Sequence, residues 1–396
     1  MVPFIQRLKM EDFLSYCGQE VALGPLNVLI GPNGSGKSNL LEALALFQAA
    51  PGDLAAAVRR AGGMDELLWK GAPKASRATL GAVLTAPGRD QEFRLSLAST
   101  RGRLEVVDEA LADAPAAEPE VAGSVYYHYQ DGVPVLSVLA TEGVGDGQSR
   151  QQRVLRRDSL APDQSVLAQR RDPELYPEIS RLGDLFRRIR LYRDLGLASS
   201  APSRAPQRAD LPSDELAEDG SNLALVLNTL QHFDVWGRIL DLLKALYPEI
   251  EDVTTRIEGG FVQVHFREAG LGRTIPATRL SDGTLRFLCL LAILCHPDPP
   301  PVVGLEEPEL GLHPDALGVV ADLLLEASGR TQLVVTTHSE ALVSALSDHP
   351  QAVLVCERDA EGSSLRRLEE PRLRDWLAEY SLGDLWRKGE IGGTRW

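Results

Sequence analysis

The chain of 396 residues has little cysteine, little lysine and no long apolar run. Each shortage narrows what it can be. The four cysteines, Cys17, Cys289, Cys295 and Cys356, lie far apart or in apolar surroundings and lack metal-type spacing. Reduced core or surface thiols in a cytoplasm are the expectation. No apolar stretch is long enough to cross a bilayer. Glu11, Asp12 and Glu20 interrupt any hydrophobic core that an N-terminal export signal needs. Lysine numbers 6 against 35 arginines, which reads as codon bias before function. A net charge of −15 argues against a surface that coats nucleic acid and leaves a local basic groove open. There is no internal repeat and no heptad run long enough for a coiled-coil arm. The apolar fraction of 44% is ordinary for a globular protein, and the length suits two domains or one large one with insertions.

What is present centres on Gly31-Pro32-Asn33-Gly34-Ser35-Gly36-Lys37-Ser38, which fits G-x-x-x-x-G-K-[ST] with one extra glycine inside the loop. Before it, residues 26–30 form a short apolar run that reads as a buried strand; after it, residues 39–47 read as an amphipathic helix. That context gives the motif its meaning. Glycines let successive N–H groups turn toward a phosphate, and the helix N-terminus adds a favourable dipole. Lys37 is then placed for the β- and γ-phosphates and Ser38 for Mg²⁺. The loop, with Asn39 behind it, is the candidate nucleotide site.

The rest of the chain alternates between strand and helix patterns. Two N-terminal strands precede the loop, and residues 54–68 suggest a short helix broken by Gly62-Gly63. A meander follows at 78–84, 92–97 and 103–107, then a hairpin at 125–129 and 133–138 around Asp131-Gly132. From about 152 to 197 the pattern is helical. Between Arg150 and Arg208 there are 13 arginines against 7 Asp and Glu, with Arg187, Arg188, Arg190 and Arg193 beside Tyr192. This stretch is either a surface facing nucleic acid or phosphate, or a solvated face with local ion pairs. Residues 199–212, rich in Ser, Ala and Pro, are expected to form a mobile loop. Helices at 222–230 and 235–246 and a hairpin around Gly259-Gly260 come next.

Three further motifs lie downstream. Leu280-Ser281-Asp282-Gly283-Thr284 opens an apolar helix, with Ser281 or Asp282 as N-cap. Residues 301–305 form an apolar strand that ends in Glu306-Glu307-Pro308-Glu309. Paired carboxylates there suit a Mg·nucleotide hydrolase, one for the metal shell and the next for the attacking water. Residues 332–336 give another buried strand, ending at Thr337-His338-Ser339. In an open α/β sheet, ligands sit at the carboxyl ends of such strands.

This order of phosphate loop, signature helix, acidic strand end and histidine strand resembles the ATP-binding-cassette ATPases. Within them it resembles the soluble branch of SMC, RecF and OLD-type nucleases, and above all the bacterial group of predicted ATPases that carry an AAA label but are built like a cassette. Asp12-Phe13-Leu14-Ser15-Tyr16 and Gly311-Leu312-His313-Pro314 add to the likeness, which covers both terminal thirds and the middle loosely. The resemblance implies an α/β P-loop NTPase of ABC-ATPase type, with a mixed central sheet, an antiparallel β-subdomain and an inserted helical lobe. Residues 1–140 plus 296–396 are expected to form the nucleotide lobe, and 141–295 the helical signature lobe with its basic insertion. It further implies an ATP-dependent homodimer in which each phosphate loop faces Ser281 and Gly283 of the other subunit. Glu307 becomes the catalytic base, His338 the γ-phosphate switch, and Glu306 the Mg²⁺ residue, acting through water because it replaces an aspartate. Gln130 is the candidate for the family's glutamine loop.

The signature departs from the transporter form, and SMC-like arms are missing. The 58 residues after His338 are too few for the TOPRIM nuclease of OLD proteins and lack its acidic clusters. A cytoplasmic ATPase switch acting on DNA or a partner effector is therefore the expectation. The alternative is a low-turnover ATP sensor gating a separately encoded nuclease or toxin. The tail from Leu382 to Trp396 carries two tryptophans among four glycines; it is either a docking segment or a C-terminal element pinned in a groove by Trp386.

Overall fold

Strands that read as continuous apolar runs need cover on both faces, and the central sheet has it. The computed structural model describes residues 2–71, 75–115, 123–130, 132–139, 150–154, 160–195 and 201–393. Its central sheet has the order Arg190–Tyr192, Val302–Glu306, Gln332–Thr336, Leu26–Ile30, Val353–Asp359 and Gly362–Arg367. The first five strands are parallel and the last is antiparallel, which makes the sheet mixed. Alternate residues feed two cores, as the period of two requires. Val28 and Ile30 join Val303, Leu305 and Val335 on one side, while Leu29 joins Val302 and Val334 on the other.

The second core is shared with an eight-stranded antiparallel sheet that runs from Tyr16–Ala22 at one edge to Arg150–Val154 at the other. Phe47, on the helix Lys37–Ala49, stacks on Phe186 at 5.1 Å and meets Phe93 edge-on at 5.6 Å. Those three rings join the phosphate-loop helix, the helix Pro177–Arg187 and the antiparallel sheet. The first core is shared with the helices Leu223–Leu230 and Val235–Leu246 and the hairpin Ile250–Glu258/Phe261–Glu268. At its centre lies the helix Asp282–Leu294, whose residues are buried from Thr284 onward. A helix apolar all round belongs inside a core.

Two strand pairings cross the expected 140/141 boundary: Arg150–Val154 pairs with Val133–Leu139, and Arg190–Tyr192 pairs with the acidic strand. A three-residue strand carries no periodicity of its own, and its partner lies far along the chain. The stretch from 152 to 197 is correspondingly not all helical. The expected mobile loop is also anchored where it is described: Ala201, Ser203, Arg204 and Gln207 are buried, and Gln207–Arg208 pairs with Phe261–Glu268. Asp131 and residues 196–200 lie outside the described residues.

Candidate nucleotide-hydrolysis site

All parallel strands end at one edge of the central sheet, and that edge gathers the phosphate loop, Glu306, Glu307 and His338. The loop is bolted from behind. Tyr16 Oη donates to the Gly36 carbonyl at 2.9 Å, Ser363 Oγ to the Ser35 carbonyl at 2.5 Å, and Cys356 Sγ to the same carbonyl at 3.1 Å. Ser15 Oγ accepts from Asn39 at 2.7 Å, which ties the hairpin turn to the helix start. Gly31 has φ +149°, and a Cβ there would overlap the Cys356 carbonyl oxygen. Only glycine admits that close approach.

Lys37 Nζ donates to the Gly31 and Pro32 carbonyls at 2.8 and 3.1 Å, so its charge lies along the loop. Burial pulls its pKa down, and Cys356 with the carboxylates of Glu307, Glu306 and Glu309 pull it back up. Ser38 Oγ donates to Glu306 Oε1 directly. The extra methylene of glutamate therefore brings its carboxylate into contact with the hydroxyl that heads the helix. Among the described residues no three His, Cys, Asp or Glu side chains cluster as a metal cage. A Mg²⁺ that arrives with nucleotide needs only one or two protein oxygens. Ser38 and Glu306 are hard donors already within hydrogen-bond contact, and they fit that demand.

Glu307 follows in a left-handed backbone conformation, φ +46°. Such a conformation in a glutamate costs about 1–3 kcal/mol and persists only when its surroundings hold it. Three groups do so here. Its N–H donates to the Thr336 carbonyl at 2.9 Å, its carbonyl accepts from Arg286 at 3.0 Å, and the same guanidinium nitrogen reaches the Leu310 carbonyl at 3.0 Å. The Glu307 carboxylate comes within 3.6 Å of His338 Nε2. Burial, then the Lys37 charge, lowers the His338 pKa, while Glu307 and Glu309 oppose the shift. Glu309 Oε1 accepts from Thr337 Oγ1 at 2.6 Å and from the His338 N–H at 2.9 Å, so it orients the turn that carries the histidine.

Ser281 and Gly283 pack elsewhere. Ser281 is the N-cap of its helix, accepting from the Thr284 N–H at 3.1 Å. Gly283 sits so close to the Gly311 carbonyl that a Cβ would overlap it. Arg204, buried, donates to the Leu280 carbonyl at 2.6 Å and pairs with Asp282. The signature turn thus rests on the segment that follows Glu309.

Gln130 does not lie on the parallel sheet. It ends the strand Val125–Gln130, exposed, opposite Val133 in the antiparallel sheet. The strand beside the acidic one is Arg190–Tyr192, which runs on to Arg193 and Asp194; Asp194 attracts the Arg286 guanidinium. Several described arginines of that region pair with carboxylates, while Arg156 and Arg157 lie outside the described residues. Arg188 and Arg190 both pair with Glu215 at 3.0 and 2.8 Å, Arg193 with Glu42 at 2.5 Å, and Arg208 with Asp210 at 2.6 Å. The ion-pair reading of the charge run holds for these. Arg286 and Ser363 carry no signal in the sequence, and Ser15 and Glu309 stand there only as parts of motifs without these roles, because each acts through contacts distant along the chain.

Residues 26–344 match the family model described as "AAA domain, putative AbiEii toxin, Type IV TA system". The chain belongs to this family. The DNA replication and repair protein RecF of Magnetococcus marinus is 48% identical over 65 residues, which is 15% of this chain and 16% of that protein. The match thus spans well under two thirds of that relative's length. A Smc head bound to the C-winged helix domain of ScpA has a TM-score of 0.58 at 16% identity, covering 94% of this chain and all of that one. A Smc head with an extended coiled coil, bound to the C-terminal domain of ScpA and derived from Pyrococcus furiosus, gives 0.56 at 15%, covering 96% and 99%. At such identities the likeness establishes the fold, that of an ABC-type P-loop head. No helix among the described residues is long and apolar enough to cross a membrane.

Proposed function

We propose that this AAA-domain family member is an ATP-hydrolysing switch that closes as a homodimer around two Mg·ATP molecules and acts in the cytoplasm on a partner effector or on DNA. The observation that carries the reading is the direct Ser38–Glu306 contact beside the Glu307–His338 pair, all at one sheet edge with the phosphate loop. Lys37 and the loop N–H groups bind the phosphate oxygens. Bound Mg²⁺ supplies charge neutralisation at those oxygens. Glu307, aimed by its left-handed backbone, takes the proton of the attacking water. His338, its pKa lowered by burial and then by Lys37, adjoins that carboxylate and responds to the γ-phosphate. Ser281 and Gly283, turned onto the Gly311 segment, are available to a second subunit's nucleotide.

The ion pairs of Arg188, Arg190, Arg193 and Arg208 support the ion-pair reading of that part of the arginine run over a DNA-facing groove. This favours a separately encoded protein effector as the regulated partner. The test is ATP turnover by the purified protein with and without single- and double-stranded DNA, with Glu307→Gln as control. Turnover that ignores DNA and is lost in the variant supports the effector reading; stimulation by DNA restores the DNA reading. Turnover unaffected by Lys37→Ala refutes the ATPase assignment altogether.

A further inference from the structure

The C-terminal segment takes no part in the reaction above, yet it reaches both sides of the site. Its helix Leu382–Arg387 opens with a capping box between Ser381 and Asp384. Gly383 lies so close to the helix Glu340–Ser344 that a Cβ would overlap Ser344 Oγ and the Glu340 carbonyl oxygen. Ser381 and Ser344 share a hydrogen bond at 3.1 Å, and the Leu382 N–H donates to Ser347 Oγ at 2.9 Å. The helix so gripped is capped by Ser339, directly after His338.

The other end of the segment turns back to the phosphate loop. Trp386, 7% exposed, donates Nε1–H to the Gly393 carbonyl at 3.0 Å. The Gly393 N–H donates to Glu357 Oε1 at 2.9 Å, and Arg366 holds the Ile391 carbonyl at 2.8 Å. A Cβ on Gly393 would stand 3.0 Å from Val355 Cγ1 and 3.4 Å from the Cα of Gly31, the first residue of the loop.

We infer that residues 381–393 form a clamp that fixes the spacing between His338 and the phosphate loop, with Trp386 as its positioning residue. The inference rests on the reading that these two elements serve one ATP site. The strands beneath the two elements are already paired. What the segment adds is a restraint on the turns above them, the helix after His338 on one side and the start of the phosphate loop on the other. An error of about 1 Å in catalytic placement costs on the order of a hundredfold in rate. Anything that lifts the tail, a partner protein included, then slows hydrolysis without touching the nucleotide.

The test is Trp386→Phe, which keeps an aromatic ring, deletes the donor to Gly393 and trims the buried indole to a single ring. Glu357→Ala, at an exposed position, releases the same glycine from the other side and serves if the first variant folds poorly. Each is expected to lower kcat about tenfold or more, Trp386→Phe with some loss of melting temperature from the trimmed core ring and Glu357→Ala with an unchanged one. In a His338→Ala background the further loss is expected to vanish, because coupled residues are not additive. A kcat within twofold of wild type in both variants overturns the clamp, as does the same fold-loss with and without His338. If Lys37→Ala or Glu307→Gln hydrolyses ATP like wild type, the ATP-site reading fails and takes the clamp with it. If those two are inactive while Trp386→Phe and Glu357→Ala are not, the clamp alone fails.

Discussion

Arg286→Met is the perturbation that probes the site's design most sharply. The guanidinium is buried on the signature helix and makes two bonds of 3.0 Å, to the carbonyls of Glu307 and Leu310. A hydrogen bond from a charged donor is worth about 1.5–3 kcal/mol net, so the two together contribute about 3–6 kcal/mol. Burial opposes this by disfavouring the charge, as the lowered Arg286 pKa shows, and the buried Nε has no partner among the described residues. Removing the cation relieves that cost. The net loss should be about 2–3 kcal/mol in urea unfolding. Methionine fills the volume but leaves both carbonyls short of a donor, so Glu307 loses a restraint on its left-handed backbone. General-base catalysis contributes about 10²–10⁴-fold, and a misaimed base forfeits a large part of it. ATP turnover should fall on the order of a hundredfold with ATP affinity nearly unchanged, and Arg286→Lys should recover part of the loss. Stability within about 0.5 kcal/mol of wild type, together with turnover within twofold, refutes the reasoning.

Other substitutions test other contacts. Gly31→Ala forces a Cβ into the Cys356 carbonyl at φ +149° and should cost about 2–3 kcal/mol along with ATP binding, measured by urea titration and nucleotide fluorescence. Lys37→Ala should weaken ATP binding at least about tenfold, on the scale of one charge-assisted contact, by the same fluorescence assay. Glu109 is fully buried and accepts from Tyr127, Ser165 and the Val166 N–H, and burial pushes its carboxyl from 4.5 up to about 7. A raised folded pKa means its contribution is fully present below pH 4.5 and lost as pH rises through 7. Wild-type unfolding free energy should carry a fall of up to about 3 kcal/mol across that window, which Glu109→Gln should flatten.

The parts of this site that were legible in the sequence are those whose chemistry is local. Strand, glycine loop and helix lie within some twenty residues, so their motif carries its own context. The acidic and histidine strands were legible through their order, since apolar runs ending in polar tips point to one sheet edge. What stayed hidden depends on distant partners. Nothing near Arg286 announces that it holds Glu307, and nothing near Arg188 names Glu215 or Asp298. The strand Arg190–Tyr192 is too short to show a period, and its sheet place is fixed by Val303 and Leu305. The glutamine loop was misplaced for the same reason: Gln130 is a hairpin residue of the other sheet. The tail was half legible, its tryptophan suggesting a pinned segment but not that the pin reaches Gly31.

The most direct test of the account is single-turnover ATP hydrolysis by wild type and Glu307→Gln, with ATP binding measured in parallel. The account predicts that both bind Mg·ATP with similar affinity and that the variant hydrolyses it at least about a hundredfold more slowly. A variant that turns over ATP at the wild-type rate contradicts it, because the one carboxylate held against His338 in a strained backbone would then have no part in the chemistry.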